Sequence, residues 1–451
     1  MDQSMDFIFK NGLVVTSAGI EKRDIAVKGE KIIKVAADLN PEGANRIIDS
    51  SGKYLLPGII DVHCHPVYVD DEGGLSLTAA FGGVTSVIHY AYVKPGMEVM
   101  PTLRQFKENG ISKSYLDFGL HLGLFDVKNQ IKDLPEAFNF GATSFKVFMS
   151  YAKLKWMTDD YWMTAVMDVA AQEKGLVMIH AENGLATDYL EDKFLREGRS
   201  PIESFAAMRP SLLEAEAINR AMMISQVMGS VLYVVHNSAA ECLEPISRAQ
   251  ENGWKVIGET CPQYLTLTEK TTLTRKAQAK IGPPLRTFED NEALWYGLAN
   301  GILDTVGSDH APKPKKVDDN FFDAPYGSPQ TETMLTVMYH HGVNGGRITL
   351  PRLVEVMSEN NAKTFGWFPQ KGIIAEGSDA DIVLFDPTIP HVITKETQHS
   401  NVGFTNYEGM EVLGKPIMTM SRGNIVVENG SLVGKPGVGR FLPTSTSHLY
   451  D

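Results

Sequence analysis

Cysteine is scarce in this sequence. Its 451 residues include only three cysteines, Cys64, Cys242 and Cys261. The number is odd and no two of them form a close Cys-x-x-Cys pair, so we expect neither a disulfide framework nor a structural zinc knuckle. Cys64 lies between two histidines in a predicted strand and should point away from them, so we interpret it as a small core residue rather than a nucleophile.

Long apolar runs and an excess of positive charge are also missing. No stretch of about 18 or more apolar residues occurs, so no transmembrane helix is expected. The N-terminal segment MDQSMDFIFKNGLVV lacks the apolar core of a secretory signal. The formal net charge of −13 argues against a nucleic-acid-binding surface. We therefore expect a cytoplasmic enzyme that needs no nucleic-acid or membrane partner.

Both ends of the chain show short β-strand patterns. Near the N-terminus, FIFKNGLVVT, KRDIAVKGEKIIKVA and NRIIDSSGKYLLPG alternate apolar and polar residues, with Asn-Gly and Lys-Gly-Glu as hairpin signals at the breaks. DADIVLFDP and PIMTMSRGNIVVENGSLV look similar near the C-terminus. We predict that residues 1–56 and 371–451 pair into one small β-sandwich domain, which flanks a larger domain of residues 57–370.

The larger domain alternates short apolar runs with helical patterns such as DDYWMTAVMDVAAQEKG. Each run is rich in Val, Ile or Leu, as in a strand buried on both faces. The runs are IIDVHCHP, VTSVIHYAY, DFGLHLGLF, TSFKVFMSY, LVMIHAEN, VLYVVHNSA, WKVIGETCPQ and LDTVGSDHAP. Eight alternations predict an α/β fold, a (β/α)8 barrel of the TIM type. A doubly wound open sheet would give the same alternation, and the positions of the polar residues decide between the two.

Most of these runs end in an ionisable residue, and in a (β/α)8 barrel the carboxyl ends of the strands meet at one mouth. The candidates are His63, His65, Lys146, His180, His236 and Asp309. Burying such groups together without partners is unfavourable, and divalent metal would provide the partner. His63 and His65 are two residues apart, so both can face one ion, although an ordinary pair of barrel-top histidines has the same spacing. We interpret the other histidines considered as packed or surface residues: His89, His121, His310, His340 and His341.

Lys146, in SFKVFMSY, is an unusual candidate ligand because a cation repels an ammonium group. Reaction of its amine with carbon dioxide would give an anionic carbamate, whose two oxygens can bridge two metals. The alternative is a plain ion pair with an acidic residue such as Asp309. Sequence spacing does not separate these two interpretations.

Asp309, in TVGSDHAP, is the candidate proton shuttle. It would bind one metal through one oxygen and keep the other oxygen near bound solvent, whose pKa falls toward ~7 on a metal and which then needs a proton acceptor. The alternative is a helix N-cap directly after a strand.

Longer motifs of the chain resemble the amidohydrolase superfamily, in its dihydropyrimidinase and hydantoinase branch. The resemblance extends over nearly the whole length. It rests on PGIIDVHCHP, FGGVTSVI, GATSFKVFMSY, MIHAENG, GETCPQYL, GPPLR, VGSDHAP and NNAKTFGWFPQKGIIAEGSDADIVLFDP. It implies a hydrolase of cyclic amides, which opens a hydantoin, a dihydropyrimidine or a related cyclic imide. In such enzymes a hydroxide that bridges two metal ions attacks the ring carbonyl.

The resemblance also implies a role for each site residue. The first metal would be bound by His63, His65, Lys146 and Asp309, and the second by Lys146, His180 and His236. Zinc is the usual metal of this branch, and Lys146 would be an N6-carboxylysine. Tyr151 would donate a hydrogen bond to the oxyanion, although a core tyrosine is the alternative. Asp309 would carry the hydroxide proton to the leaving ring nitrogen.

Departures from the family pattern bear on the substrate. Dihydroorotases carry an arginine just after His-x-His, whereas Pro66 and Val67 follow here, which argues against dihydroorotate. Dihydropyrimidinases have Ser-Pro-Pro where this chain has a Gly-Pro-Pro sequence beginning at Gly282, and an asparagine where we place Thr336. We expect Gly282 and Thr336 to contact the substrate, Gly282 through its backbone. Because Thr336 lacks a side-chain amide, the identity of the ring stays open.

Two other functions compete with this one. Allantoinase, or a hydrolase of another lactam or imide, is the rival within enzymes. Allantoinases tend to lack this tyrosine, so Tyr151 favours a different ring over allantoin. A non-catalytic scaffold is the rival outside enzymes, since some relatives in this branch have lost their metal ligands. All six ligand positions are present here, which argues against a scaffold. The expected partners are a small cyclic amide and further copies of the chain, in a tetramer or dimer.

Overall fold

The computed structural model describes residues 5–451, in which the strands form two sheets. The strands are β1 (Met5–Thr16), β2 (Gly19–Lys28), β3 (Lys31–Ala36), β4 (Ala44–Asp49), β5 (Tyr54–Pro57), β6 (Ile59–Cys64), β7 (Val84–Val93), β8 (Asp117–Leu124), β9 (Ser144–Phe148), β10 (Leu176–His180), β11 (Val231–Val234), β12 (Val256–Thr260), β13 (Thr305–Val306), β14 (Ile382–Ile393), β15 (Met410–Ser421), β16 (Asn424–Glu428) and β17 (Ser431–Leu432). The helices are α1 (Glu72–Phe81), α2 (Val99–Lys113), α3 (Val127–Gln130), α4 (Leu134–Phe140), α5 (Asp160–Glu173), α6 (Gly184–Arg196), α7 (Phe205–Met208), α8 (Ser211–Met228), α9 (Leu243–Glu251), α10 (Pro262–Thr266), α11 (Glu269–Arg275), α12 (Phe288–Ala299), α13 (Met334–Met338), α14 (Leu350–Val354) and α15 (Asn360–Thr364).

Strands β6 to β13 form a parallel barrel, one strand for each of the eight predicted runs. Each strand lies beside its neighbour in sequence, whereas a doubly wound sheet would reverse its strand order partway. The two ends of the sheet meet where Cys64 bridges to His310 and where the backbone N of Ser308 donates to Asp61 Oδ1 at 3.0 Å. The barrel is therefore nearly closed, and the predicted TIM-type fold is confirmed.

The two chain ends together form the second sheet, in the order β17-β16-β15-β14-β5-β1-β2-β3, with β4 paired to β1. Antiparallel pairing of β5 with β14 joins the N-terminal strands to the C-terminal ones. This confirms the prediction that both ends build one β domain. The domain boundaries at residues 56 and 370 stay a prediction.

One predicted hairpin is wrong. Asn11-Gly12 was expected at a break between strands, but it lies within β1 as a bulge, where the register shifts between Phe9 and Gly12. Asn11 has a φ of 63°, which a bulge with an extra residue accommodates. The other signal, Lys28-Gly29-Glu30, does form the turn between β2 and β3, with Gly29 at a φ of 56°.

A buried ion cluster joins the barrel to the β domain. Nζ of Lys371 lies 2.8 Å from Asp117 of β8, 3.2 Å from Asp379 and 2.7 Å from Asp381. Arg422, after β15, also binds Asp117. Burial alone would lower the pKa of Lys371, but the three carboxylates raise it above its ordinary value. The cluster therefore links β8 of the barrel to the β domain, and removal of one partner would leave an uncompensated buried charge.

The C-terminal tail covers the amino-terminal end of the barrel. The hydroxyl of Tyr450 donates to the carbonyl of Gly175 at 2.6 Å and accepts from the backbone N of Val231 at 3.2 Å, at the beginnings of β10 and β11. Phe441 bridges to Phe118 of β8. The tail leaves the opposite, carboxyl end of the strands for a site.

None of the helices between residues 5 and 451 is long and apolar enough to cross a membrane. The cytoplasmic location and the oligomeric assembly stay predictions.

Candidate active site

The six predicted ligands come together at the carboxyl ends of the barrel strands. Five of them line one cavity of about 330 Å³, namely His65, Lys146, His180, His236 and Asp309. The sixth, His63, is fully buried beside them. The prediction that a closed barrel would gather these residues therefore agrees with where the structure places them.

The distances within the cluster are short. Nε2 of His63 lies 2.9 Å from Lys146 Nζ and 3.2 Å from Asp309 Oδ1. The same carboxylate oxygen lies 3.1 Å from His65 Nε2. On the other side, the ring centroids of His180 and His236 are 4.6 Å apart. The arrangement brings imidazole, amine and carboxylate groups to one point, a donor set that suits divalent transition metals.

Lys146 is buried without an anionic partner. Within residues 5–451 no carboxylate oxygen lies within 4.0 Å of its Nζ, so the alternative of an ion pair with Asp309 is not formed. The ammonium lies instead 4.5 Å from the ring centroid of Tyr90. Burial lowers the pKa of Lys146 to about 8. More of the amine is then unprotonated, which is the form that reacts with carbon dioxide.

Three side chains that sequence reasoning missed orient the histidines. His63 Nδ1 is hydrogen-bonded to Glu259 at 2.6 Å, and His65 Nδ1 to the Tyr92 hydroxyl at 2.7 Å. His180 Nε2 is hydrogen-bonded to Glu182 at 2.5 Å. Each bond occupies one ring nitrogen, and the other nitrogens of His63 and His65 face Lys146 and Asp309 within the cluster. Outer partners fix the tautomer of histidines in metal sites in the same way. The sequence contained one indication of Glu259. It is the acidic residue in the seventh apolar run, WKVIGETCPQ, from which no candidate ligand was chosen.

The fit to a metal can be tested on the fourth histidine. Nδ1 of His236 is buried and has no hydrogen-bond partner in the described part of the chain. Its backbone N donates to Glu259 Oε1 at 3.0 Å, so the residue is held in place while the ring stays unsatisfied. Unpaired buried nitrogens are rare in folded proteins, and a bound ion or water is one way in which they are satisfied. The donor set and this nitrogen together fit a cation.

Several site residues have a strained backbone. Tyr151, His236 and Asp309 have φ values of 64°, 44° and 52°, in the left-handed region that non-glycine residues seldom adopt. Such strain accumulates at functional sites, where the surrounding structure enforces it.

No described helix begins between Asp309 and Met334, so Asp309 is not a helix N-cap. Burial raises the pKa of Asp309, but His63 and His65 outweigh this effect and hold the pKa well below its ordinary value.

Tyr151 and Gly282 lie together in the cavity wall. The Tyr151 ring centroid is 4.9 Å from that of His180. Burial raises the pKa of Tyr151 well above its ordinary value, so its hydroxyl keeps its proton and can donate. A Cβ on residue 282 would lie 2.5 Å from Tyr151 Oη, which explains why a glycine at this position leaves room for the phenol.

Thr336 does not reach this cavity, and its predicted place at the substrate is corrected. It lies in α13 and lines a separate cavity with Phe81 and Glu332. The chain returns to the site earlier, where Tyr326 lines the cavity and stacks edge-on against Tyr151 at 5.3 Å between centroids. The segment between β13 and α13 is long and irregular, so residue spacing could not predict which of its residues reaches the cavity.

Comparison with known proteins places this geometry in a family. The sequence profile of the amidohydrolase family matches residues 54–426. The chain belongs to the amidohydrolase family. Among curated amidohydrolase relatives, a D-hydantoinase of Ralstonia pickettii is 39% identical over 97% of this chain and 98% of its own. An L-hydantoinase of Paenarthrobacter aurescens is 33% identical over the same shares.

Solved amidohydrolase structures agree with this placement. A dihydropyrimidinase from Brevibacillus agri superposes with a TM-score of 0.93 at 39% identity, covering 97% of this chain and 98% of the other. The resemblance to the dihydropyrimidinase and hydantoinase branch, inferred from the motifs, is therefore confirmed. The relatives include both D- and L-hydantoinases, so family membership leaves stereochemical preference open.

The role of Glu259 gives a testable prediction for this amidohydrolase. Glu259→Gln keeps the shape but removes the charge that orients His63, so we expect metal affinity to fall by about 10–100-fold, the range for outer partners of metal-binding histidines. Competition with a metal-sensitive dye measures it. Glu251→Gln, at an exposed position of α9, is the control and should bind metal like the wild type. Equal affinity in the two variants would contradict the orienting role.

Proposed function

We propose that this chain is a binuclear-metal hydrolase that opens a cyclic amide ring of the hydantoin or dihydropyrimidine kind. The observation that supports it most is the convergence of three imidazoles, Lys146 and Asp309 on one cavity, with His63 buried beside them. Lys146 has no carboxylate partner within residues 5–451. The relatives named hydantoinases and dihydropyrimidinases supply the class of ring.

In this proposal one cation is bound by His63, His65, Lys146 and Asp309, and the other by Lys146, His180 and His236. Lys146 is carboxylated and zinc is the expected metal, since imidazole and carboxylate ligands suit it. Bound there, the two cations would supply Lewis acidity toward the ring carbonyl and a source of hydroxide at neutral pH. The remaining steps belong to side chains of the protein.

Asp309 moves the proton. Its carboxylate contacts His63 and His65 on one side and faces the cavity on the other, so it can accept a proton from the nucleophile. The same group then returns the proton to the ring nitrogen as the carbon–nitrogen bond breaks. A hydantoin or dihydropyrimidine would leave as an N-carbamoyl amino acid.

Tyr151 donates to the oxyanion that forms on the attacked carbonyl. Its ring is held between His180 and Tyr326, with the Arg209 guanidinium 5.4 Å from its centroid. Arg209 is itself paired with Glu182, which orients His180. The donor is thus positioned by the same network that positions a metal ligand, which makes its geometry ready before substrate arrives.

The test of the function is a panel of rings. We expect purified protein to contain about two metals per chain and to open hydantoin or dihydrouracil, followed by ultraviolet absorbance. Allantoin, dihydroorotate and simple cyclic imides complete the panel. Turnover of allantoin alone would support the rival allantoinase. Less than one metal per chain after mild purification, with no ring opened, would support the non-catalytic scaffold.

Removal of the carbamate should remove the metals. Lys146→Ala removes the residue that both cations would share, so we expect metal content, measured by mass spectrometry, to fall to a small fraction of the wild-type value. A short carboxylic acid such as propionate should restore part of the activity by occupying the vacated space. Lys153→Ala, an exposed lysine beyond the cavity, is the control. Unchanged metal content in the Lys146 variant would refute the bridging role.

Loss of the phenol should slow turnover without unloading the metals. Tyr151→Phe removes only the hydroxyl, so we expect kcat to fall by roughly 10²-fold or more, the scale of losing one oxyanion donor. Tyr326→Phe, in the same cavity wall, should change kcat little. If both variants turned over like the wild type, Tyr151 would be a packing residue.

A further inference from the structure

The part of the cavity wall away from the histidine cluster differs chemically from the cluster itself. The walls of the cavity are largely aromatic and include Tyr68, Phe148, Trp156 and Tyr326. Two lysines, Lys280 and Lys313, also line it. An aromatic wall suits a flat ring, whereas lysine side chains in the same wall need a separate explanation.

Lys280 is held in the wall but only partly satisfied. It is 4% exposed, and its Nζ donates one hydrogen bond, to the carbonyl of Phe322 at 2.8 Å. The ammonium also lies 4.6 Å from the ring centroid of Tyr326. An ammonium group has three protons to donate. The other two have no hydrogen-bond acceptor within residues 5–451.

Lys313 reaches the cavity from the segment that follows Asp309. It is partly buried, and its Nζ lies over the Tyr68 ring at 4.3 Å from the centroid. In the described chain no carboxylate oxygen lies within 4.0 Å of the Nζ of Lys280 or Lys313, although the exposed Asp323 lines the same cavity farther off. Two cations without ion pairs in one cavity wall are unfavourable unless something negative joins them.

Lys315 shows what a purely structural lysine does in this segment. It is buried like Lys280, yet its Nζ donates to the carbonyls of Lys280 and Pro325 at 2.8 and 3.0 Å, and it does not line the cavity. It holds the segment together, while Lys280 and Lys313 face the open space. Burial lowers the pKa values of both cavity lysines to about 8, because the loss of water outweighs the attraction of Glu191 and Asp323 for Lys280 and of Asp309 for Lys313.

We propose that the substrate is a cyclic amide whose ring carries a carboxylate-bearing side chain, which Lys280 and Lys313 bind. This inference rests on the proposed function, because it assumes that the ring is opened at the histidine cluster. Water adds across the amide: the ring carbon gains the oxygen, the carbon–nitrogen bond breaks, and the proton passes to the freed nitrogen. The product then carries two carboxylates, one new and one that the lysines held throughout.

The experiment compares two substrates of the same shape. The hydantoin with a 2-carboxyethyl group at C5 carries the charge, and its carbamoylethyl analogue replaces the carboxylate with a neutral amide. We expect the wild type to prefer the acid by about tenfold or more in kcat/KM, the scale of a charge-assisted hydrogen bond, with the difference in KM. Lys280→Met and Lys313→Met should each reduce that ratio about tenfold.

The ratio of the two kcat/KM values remains informative if a variant folds poorly, because the fraction of correctly folded enzyme is the same in both assays and cancels. Lys316→Met, at an exposed neighbouring position, is the control and should keep the wild-type ratio within about twofold. A wild-type ratio near or below one, or lysine variants with an unchanged ratio, would overturn the inference while neutral rings such as dihydrouracil are still opened. If the metal-loaded protein opens no ring of either kind, the proposed function fails and takes this inference with it.

Discussion

The hydrogen bond between Glu259 and His63 is the interaction on which the site depends. Through Oε1, Glu259 also accepts from the backbone N of His236, and through Oε2 from the hydroxyl of Tyr233. One buried carboxylate in β12 thus ties β6 to β11 at the mouth of the barrel. Gly307 makes this approach possible, since a Cβ there would lie 2.7 Å from His63 Cβ and 2.8 Å from Glu259 Oε2.

The site combines rigidity with stored strain. Tyr151, His236 and Asp309 are kept in left-handed backbone conformations, and each brings a polar group to the same cavity. The outer carboxylates Glu182 and Glu259 hold histidines without facing the substrate. The ring nitrogens that we propose as metal ligands are therefore oriented in advance, and a preorganised set of ligands favours tight binding because little ordering remains to be done.

Most of the fold and the inner ring of the site could be predicted from sequence, because both follow from local patterns. Each barrel strand is one apolar run, and the candidate ligands are the ionisable residues at the ends of these runs. Glu259 and Tyr92 were missed because each contacts its histidine from another strand, so no spacing relates them. Thr336 was misplaced for a related reason: the irregular segment after β13 has no period, and Tyr326 reaches the cavity from within it. The prediction of a hairpin at Asn11-Gly12 was wrong because a β-bulge favours the same residue types as a hairpin turn.

The pairing of β5 with β14 bears on how the chain folds during synthesis. Leu56 pairs with Val383, so one edge of the N-terminal sheet lacks its partner until more than 300 further residues have left the ribosome. At about 5–20 residues per second, that interval lasts roughly 15 s to one minute. An open strand edge invites pairing with other chains. The edge at β5 is thus exposed to such pairing for as long as the barrel between it and β14 is still being made.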